Sequence, residues 1–257
     1  MTGIHPSAVI DASATIGAGT EIGPFCHVGA DVEIGAGCRL LGQVTIAGPT
    51  RIGTGNVFYP YCSIGQRSQD LKYGGEPTHL EIGNDNSFRE FCTVNRGTSP
   101  GAKTTVGNNG NFLAYSHIAH DCTVGNDVIF SNNGTLAGHV LVEDYAVIGG
   151  LSGVHQFCRI GRHSIVGGCT KIVQDVPPYM IADGNPAEIR GVNQVGLERR
   201  GFAAEDVRSL RECYRFLYRA NLNVKQACER IAAEVASSEV RTHLLAFIEN
   251  SQRGIVR

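Results

Sequence analysis

The sequence predicts a mainly β protein, a parallel β-helix in the form of a three-sided prism, followed by a small α-helical domain. Three observations indicate this fold. A six-residue repeat runs through the first 177 residues, glycine accounts for 33 of the 257 residues, and apolar residues after Phe202 switch to helical spacing. Because 42% of the residues are hydrophobic, the chain can bury a sizeable core, and a disordered chain is excluded.

The repeat places branched or aromatic residues at every sixth position from Ile4 to Ile172. Of the 29 positions on this grid, 26 hold Ile, Val, Leu or Phe. A period of six fits neither a helix nor an alternating strand, but it fits short strands joined by turns, each anchored by one inward residue. Three hexads make a coil of about 18 residues, so residues 18 apart should stack at the β-sheet spacing of about 4.8 Å.

Glycine and cysteine occupy fixed places in the hexad. Glycine often follows the anchor, as at Gly17, Gly53 and Gly125, where we expect tight turns with backbone angles that other residues avoid. The nine cysteines form no CxxC pair, which argues against a disulfide framework and a structural zinc site. Six of them precede an anchor by two residues and are expected to be small buried filler: Cys26, Cys38, Cys62, Cys92, Cys122 and Cys158.

Two polar stretches interrupt the grid and are predicted to leave the coil as loops. Residues 66–81 put Asp70 and Glu76 on anchor positions, and residues 97–105 put Pro100 on one. Loops that interrupt a rigid scaffold often carry binding residues, although tolerance of insertions explains them equally well. The hexads stop after Pro177 and Pro178, so we predict a β-helix over 1–190 and a helical domain over 191–257.

The tail carries three apolar stripes at helical spacing, which begin at Val207, Val224 and Val240. Asn223 with Gln226 is the pattern of a capping box at the start of the second helix. Residues 190–257 contain 12 Lys and Arg against 8 Asp and Glu, which leaves a net charge of −6 for the first 189 residues. Four arginines share one helical face, and they predict either a solvated face or a docking surface for an acidic protein: Arg208, Arg211, Arg215 and Arg219.

The overall charge and the N-terminus bear on location. A net charge of −2 offers no global attraction for nucleic acid or for an anionic membrane. The first residues lack the basic flank and apolar run of a signal peptide, and no apolar stretch approaches the roughly 20 residues that span a bilayer. The sequence therefore predicts a soluble cytoplasmic protein without a transmembrane segment.

Five of the nine histidines lie between residues 117 and 163. The stacking rule predicts a polar cluster on one edge of the prism, with His120 under Gly138 and then Gln156, and with His117, His139, His155 and Asp121 around that column. Histidine titrates near neutral pH, so such a cluster suits general-base chemistry. Exposed turn histidines without a role are one alternative. A zinc site of a carbonic-anhydrase-like lyase is another, since three imidazoles and a water make a catalytic zinc centre.

Several segments, spread from about residue 4 to the end of the chain, match one family of hexapeptide-repeat enzymes: SQDLKY, GEPTHLEIG, RGT, HIAHDCTVGN, TLAGHV, GVHQFCRIG, VGGCTKIVQDVPPY and GVNQVGLERRGF. With these motifs the chain resembles the acyl-ACP–UDP-N-acetylglucosamine O-acyltransferases of lipid A synthesis. The resemblance implies a left-handed β-helix, a homotrimer with sites between adjacent prisms, and no cofactor or metal. It also implies transfer of a 3-hydroxyacyl chain from acyl carrier protein to the glucosamine 3-hydroxyl.

The resemblance also assigns roles to residues. His120 would be the general base, Asp121 would orient it, and the Gly138 N–H would donate to the oxyanion. The substrate-binding set would be Gln69, Asp70, Lys72, His117, His139, His155, Gln156, Asn193, Arg199 and Arg200. Asn193, Arg199 and Arg200 would reach the nucleotide. Gly168 would occupy the position of the acyl-chain ruler, the side chain that limits the length of the acyl chain in this family. The loop 66–81 would complete the site of a neighbouring prism.

The chain departs from the family pattern at two positions, Val195 in place of an acid and Pro186 in place of a histidine. A sister enzyme that acylates an amine carries an additional N-terminal domain, for which the hexads, starting at Ile4, leave no room. Three functions therefore stay open from the sequence: this or another hexapeptide acyltransferase, a zinc lyase, and a non-catalytic solenoid that binds a partner.

Overall fold

The computed structural model describes residues 3–257 and consists of short strands wound into a prism, followed by four helices. In chain order the strands are β1 Gly3–Ile4, β2 Val9–Ile10, β3 Thr15–Ile16, β4 Glu21–Ile22, β5 His27–Val28, β6 Val32–Ile34, β7 Arg39–Leu40, β8 Thr45–Ile46, β9 Thr50–Ile52, β10 Val57–Phe58, β11 Ser63–Gln66, β12 His79–Ile82, β13 Ser87–Phe88, β14 Thr93–Asn95, β15 Lys103–Val106, β16 Asn111–Phe112, β17 His117–Ile118, β18 Thr123–Val124, β19 Ile129–Phe130, β20 Thr135–Leu136, β21 Leu141–Val142, β22 Val147–Ile148, β23 Gly153–Val154, β24 Arg159–Ile160, β25 Ile165–Val166, β26 Lys171–Ile172, β27 Met180–Asp183 and β28 Glu188–Val192.

Successive strands belong to three parallel sheets in rotation, which gives the prism its three faces. Sheet A starts with β1 and β4, sheet B with β2 and β5, and sheet C with β3 and β6, and each strand pairs only with the coils directly before and after it. Paired residues are 18 apart in an uninterrupted coil, as in the pair of Glu21 and Arg39. The predicted stacking of residues 18 apart is confirmed.

Both interruptions of the coil leave the prism at the same edge, the B–C corner, where the chain passes from sheet B to sheet C. The excursions cover 67–78 and 96–102, narrower than the predicted loops, because β12 and β15 already pair in sheet C. Across the first excursion, residues 30 apart pair, as Val57 does with Ser87. Across the second, Ser87 pairs with Asn111, 24 residues on. The site-bearing turns 119–122, 137–140 and 155–158 follow on this corner.

The inside of the prism is a set of stacked columns of anchor residues. Phe58, Phe88 and Phe112 lie face to face, with ring centroids 5.1 and 4.6 Å apart, and all three are buried. The six cysteines of the hexads are at most 1% exposed, and all nine cysteines are free thiols. The prediction that the hexad cysteines are buried filler is therefore confirmed.

The predicted role of glycines such as Gly17, Gly53 and Gly125, tight turns with unusual backbone angles, is wrong. These three glycines do not adopt left-handed angles, although Gly65, after the anchor Ile64, does, with φ of 74°. Left-handed angles recur instead three residues after the anchor, as at Asp85 and Tyr115. A Cβ atom on Gly17 would lie 2.4 Å from the backbone of Gly35, and one on Gly53 would lie 2.6 Å from that of Gly83. Glycine is required there because neighbouring coils approach too closely for a side chain.

The helical tail follows a hairpin that the sequence did not predict, in which β27 and β28 pair antiparallel at the end of sheet A. The helices are α1 Gln194–Arg199, α2 Ala204–Tyr218, α3 Val224–Glu234 and α4 Glu239–Glu249. Asn223 and Gln226 form the predicted capping box at α3. Within residues 3–257, every helix is too short or too polar to cross a bilayer.

The two ends of the prism differ. At the N-terminal end the first coil has no neighbour among the described residues on one side, and its anchor Ile4 is 44% exposed, whereas anchors in the middle of the prism are buried. At the other end the last coil packs under the hairpin, where Tyr179 and Met180 are buried. The apolar core is thus open to solvent at one end and covered at the other.

A buried histidine, His163, joins the prism to the tail at the C–A corner, where the chain passes from sheet C to sheet A. Its ring stacks between Tyr145 and Tyr179, with centroids 4.6 and 6.0 Å away, and Phe202 of the tail meets it edge-on. Burial, then the charges of Arg162 and Arg200, lower the pKa of His163 to about 4. The folded protein therefore holds this ring neutral.

Replacing His163 by phenylalanine should make stability less sensitive to acid. A histidine in the unfolded chain has a pKa of about 6.5, so its contribution to stability is complete above that pH and is lost as the pH falls toward 4. Between pH 7 and pH 4 we expect the free energy of unfolding to fall by about 3 kcal/mol more in the wild type than in His163→Phe. Denaturant titrations at both pH values measure this difference, and equal losses would contradict the assignment.

Candidate active site

The candidate site is a cleft of about 590 Å³ on the face of sheet B, along the B–C corner. It combines the first excursion with four successive coils, so residues far apart in sequence meet there. Its polar wall includes the predicted residues Gln69, Asp70, His117, His120, Gly138, His155 and Gln156, with Lys171 from the last coil. The predicted column of residues 120, 138 and 156 therefore lines one cleft.

His120 lines the cleft and forms a hydrogen-bonded pair with the adjacent Asp121. The His120 side chain is 11% and the Asp121 side chain 10% exposed, and His120 Nδ1 lies 2.8 Å from Asp121 Oδ2. Asp121 has a left-handed backbone with φ of 59°, which an aspartate tolerates better than most residues. An ionised carboxylate only accepts hydrogen bonds, so Nδ1 of His120 is the donor, and Nε2 of the neutral ring is left as an acceptor.

The carboxylate of Asp121 has further partners. Its Oδ1 accepts a hydrogen bond from the Thr98 N–H at 3.2 Å, and His139 Nε2 lies 3.7 Å from Oδ2. The Asp121 N–H in turn donates to the Thr104 hydroxyl at 2.8 Å. Both oxygens and the backbone of Asp121 are thus held, which fixes the position of the His120 ring.

Gly138 lies against the His120 ring in the next coil. A Cβ atom at this position would fall 2.3 Å from His120 Cε1 and 2.5 Å from Nε2. Within residues 3–257, the Gly138 N–H donates to no protein acceptor. The glycine therefore makes room for the imidazole and offers a free donor beside it.

The other histidines of the cluster differ in their surroundings. His117 is half-buried, and its Nδ1 lies 2.7 Å from the Thr93 hydroxyl. Burial, and next the neighbouring His120, hold the pKa of His117 below its usual value. His139 stacks on Phe157 at 4.6 Å, with its ring edge-on to His120 at 5.2 Å, and His155 is exposed.

The loop of the first excursion faces the cleft of its own chain. Gln69 and Asp70 line the cleft beside His117 and His120, while the exposed Lys72 donates its backbone N–H to Asp70 Oδ1 at 2.9 Å. Whether this loop also completes a neighbour's site stays a prediction.

Seven predicted residues do not line the cleft of a single chain. Asp121 and His139 adjoin His120, Lys72 lies on the loop, and the other four lie farther away. Asn193 is buried as the N-cap of α1, where its side chain accepts from the Gly196 N–H and donates to the His163 carbonyl. Arg199 and Arg200 are exposed beside the C–A corner, with Arg200 over the Tyr145 ring at 4.2 Å. Gly168 is exposed at the A–B corner, where the chain passes from sheet A to sheet B.

Sequence reasoning missed Thr98, Thr93 and Thr104, whose hydrogen bonds position the cluster. Thr98 stands in the RGT motif, a part of the family resemblance to which no role was assigned. Thr93 is an outward residue of sheet B that pairs with His117. The two residues are 24 apart because the second excursion lies between them, so the 18-residue stacking rule does not find this pair.

Three side chains of the cluster could ligate a metal ion. The nearest ligand atoms of His120, Asp121 and His139 lie within 4.8 Å of one another. Two nitrogens and an oxygen suit zinc, although two of these atoms already form the hydrogen bond between His120 and Asp121. Elemental analysis of the purified protein separates the lyase alternative, which requires stoichiometric metal, from an acyltransferase.

The three-sided coil and the histidine–carboxylate pair on its corner define a hexapeptide-repeat transferase. Residues 13–48 match the bacterial transferase hexapeptide family, and residues 175–256 match the family described as UDP-N-acetylglucosamine O-acyltransferase, domain 2. The chain belongs to the family of acyl-ACP–UDP-N-acetylglucosamine O-acyltransferases, because it is 46% identical over its full length to the member from Verminephrobacter eiseniae, all of which is covered.

Solved structures agree with this assignment. LpxA from Acinetobacter baumannii has a TM-score of 0.96 at 44% identity, with 99% of each chain covered. LpxA from Bacteroides fragilis, a UDP-N-acetylglucosamine acyltransferase, has a TM-score of 0.96 at 38% identity, with 98% of this chain and 99% of that chain covered. The expected fold, a left-handed β-helix with a helical tail, is confirmed.

Proposed function

We propose that the chain transfers a 3-hydroxyacyl group from acyl carrier protein to the glucosamine 3-hydroxyl of UDP-N-acetylglucosamine, the first step of lipid A synthesis, with His120 as general base. The observation that carries the role of His120 is its hydrogen bond to Asp121 beneath Gly138. Family membership supports the substrates.

The reaction follows from the orientation of the ring. Nε2 of His120 takes the proton of the sugar hydroxyl while the oxygen attacks the thioester carbonyl. The carbonyl oxygen becomes an oxyanion that the free Gly138 N–H can stabilise. The C–S bond then breaks, and the protonated His120 returns the proton to the departing thiolate of the carrier protein. Asp121 stabilises the imidazolium between these two steps.

Substrate positions follow from the walls of the cleft. Gln69 and Asp70 from the loop line the cleft, and the exposed His139 of the next coil meets the His120 ring edge-on, so these residues can hold the sugar hydroxyls beside His120. Arg199 and Arg200 lie at a different corner, so they reach a nucleotide only in a cleft that a neighbouring protomer shares. A homotrimer with sites between adjacent prisms meets this requirement, and we include it in the proposal, with Asn193 supporting the two arginines as the cap of α1.

The arginines of α2 provide a surface for the acidic carrier protein. Arg208, Arg211, Arg215 and Arg219 are all exposed, and among the described residues only Arg208 forms an ion pair, with Glu205. Three positive charges are therefore available to a partner.

Raising the salt concentration should raise the KM for acyl-ACP. The Debye length shortens from about 10 Å at 0.1 M to about 3 Å at 1 M, which screens attraction between exposed charges. Arg211→Glu with Arg215→Glu should raise the KM at low salt and remove most of its salt dependence. Arg39→Glu with Arg51→Glu, an equal change at the distant N-terminal coils, is the matched control. A KM insensitive to salt and to the α2 reversals would reject this surface.

Gly168→Met should shift donor preference toward shorter chains. Glycine leaves the groove open, so the wild type should prefer a 3-hydroxymyristoyl donor over a 3-hydroxydecanoyl one. Burying the four additional methylenes of the longer chain favours its binding by roughly 3 kcal/mol, at about 0.8 kcal/mol for each methylene. A Cβ at Gly168 has only the Gly150 carbonyl nearby, at 3.4 Å, so the variant should fold normally. The profile of rates over a ladder of acyl-ACPs measures the shift, and an unchanged profile places the ruler elsewhere.

The direct test of the function is mass spectrometry of the product formed from UDP-N-acetylglucosamine and a ladder of 3-hydroxyacyl-ACPs. An O-acylated sugar nucleotide is the expected product. Absence of any acyl transfer would favour the non-catalytic solenoid. A cytoplasmic location belongs to the same proposal, since nine free cysteines suit a reducing compartment.

A further inference from the structure

The two excursions at the B–C corner are hydrogen-bonded to each other at several points outside the cleft. The Arg96 N–H donates to the Gln66 carbonyl at 2.9 Å, and the Asn95 amide donates to the Arg67 carbonyl at 3.0 Å. Farther along the loops, the Gly101 N–H donates to the Pro77 carbonyl at 2.8 Å. The second excursion therefore serves as a support for the first.

A buried pair of hydroxyls continues this connection toward Asp121. Ser68 Oγ and Thr98 Oγ1 are 2.7 Å apart, and the two residues are only 5% and 7% exposed. Ser68 Oγ also accepts a hydrogen bond from the Asp70 N–H at 3.1 Å. On the other side, the Thr98 N–H donates to Asp121 Oδ1, the oxygen that His120 does not use.

We propose that Ser68 and Thr98 are positioning residues that couple the loop carrying Gln69 and Asp70 to the His120–Asp121 pair. This inference rests on the proposed function of His120 as general base. A carboxylate with one oxygen on the base and the other on Thr98 can rotate only if the Thr98 contact breaks. The hydroxyl pair holds Thr98 to the loop, so a loop ordered by bound sugar also holds the base in its working position.

Thr98→Val tests the coupling because valine keeps the shape and the backbone N–H but removes the hydroxyl. We expect kcat to fall about tenfold, since small displacements of a reacting group cost up to about a hundredfold, while the KM for acyl-ACP stays unchanged. Thr98→Ser, which keeps the hydroxyl, should restore most of kcat. Ser68→Ala should lower kcat similarly, and the double variant should lose no more than either single variant, because all remove the same contact.

The matched control is Thr50→Val, which removes another buried hydroxyl from the same corner. The Thr50 hydroxyl donates to the Ala47 carbonyl, and Thr50 does not line the cleft, so kcat of this variant should stay within about twofold of wild type. A comparable loss in Thr50→Val would show that buried hydroxyls at this corner act through stability alone and would overturn the inference.

A second double-mutant cycle, with Thr98→Val introduced into Asp121→Asn, tests whether Thr98 affects kcat through Asp121. If Thr98 acts through Asp121, the tenfold loss should shrink to about twofold or less in that background. The coupling would be overturned if Thr98→Val still lowered kcat tenfold in the Asp121→Asn protein. It would also be overturned if the kcat losses of Ser68→Ala and Thr98→Val multiplied in the double variant. These outcomes differ from a failure of the proposed function, in which His120→Ala itself would retain wild-type turnover.

Discussion

Replacing His120 by alanine is expected to lower kcat by about 10²–10⁴, the range in which general bases contribute. His120 is the histidine that combines burial, a carboxylate at 2.8 Å and a place beside the free Gly138 N–H. Steady-state rates with UDP-N-acetylglucosamine and a saturating acyl-ACP measure the loss. The KM values should change little, because the proton transfer belongs to the transition state.

His163→Ala is a demanding control for this substitution, because it removes a more buried imidazole from a different corner. It should reduce stability and leave kcat of the folded protein within a few-fold of wild type. If His120→Ala kept more than about a tenth of kcat while its fold and assembly matched the wild type, another group would have to be the base.

Gly138→Ala should be nearly as damaging as loss of the base. The added methyl would fall 2.3 Å from His120 Cε1, far inside contact distance, so the ring must move. The backbone of Gly138 does not adopt left-handed angles, and alanine there imposes no strain of its own. We therefore expect a normally folded protein whose kcat is lower by about 10²-fold or more, because the base is displaced by an ångström or more.

Gly191→Ala supplies the comparison. This glycine of β28 lies outside the cleft, and a Cβ there would meet no atom within 4 Å. Its activity and melting temperature should match the wild type. A Gly138→Ala protein with wild-type kcat would mean that the His120 ring has a second productive position, and it would weaken both the oxyanion role of Gly138 and the placement of the sugar hydroxyl at His120 Nε2.

The inward-facing positions and the stacking of the coils could be predicted from the sequence, because each follows from one simple periodicity. Steps of six residues predicted which side chains point inward, and steps of 18 predicted that His120 lies under Gly138. The hairpin of β27 and β28 was missed because antiparallel strands after Pro178 follow no hexad rule. The conformation of the glycines was misjudged, since crowding between coils is a tertiary effect that a local turn pattern does not reveal.

The spacing rule predicted the candidate site only where it lies on the coil, and Gln69 and Asp70 of the first excursion came from the family resemblance. Thr98 and Ser68 belong to excursions that leave the grid, so nothing in their spacing indicates that they meet above Asp121. Asn193 was assigned by the resemblance alone, and its contact with the nucleotide stays a prediction. In this chain its side chain also caps α1 and donates to the His163 carbonyl, two local hydrogen bonds that the spacing did not predict.

The unequal ends of the prism bear on how the molecule comes apart. Each coil contacts only the coils before and after it. Local unfolding is therefore expected to start at the end where one of these contacts is missing and to proceed coil by coil. The exposed anchor Ile4 marks that end, and the hairpin and helices close the other. His120 lies several coils from the open end, so fraying of the first coils can come and go during turnover without disturbing the base.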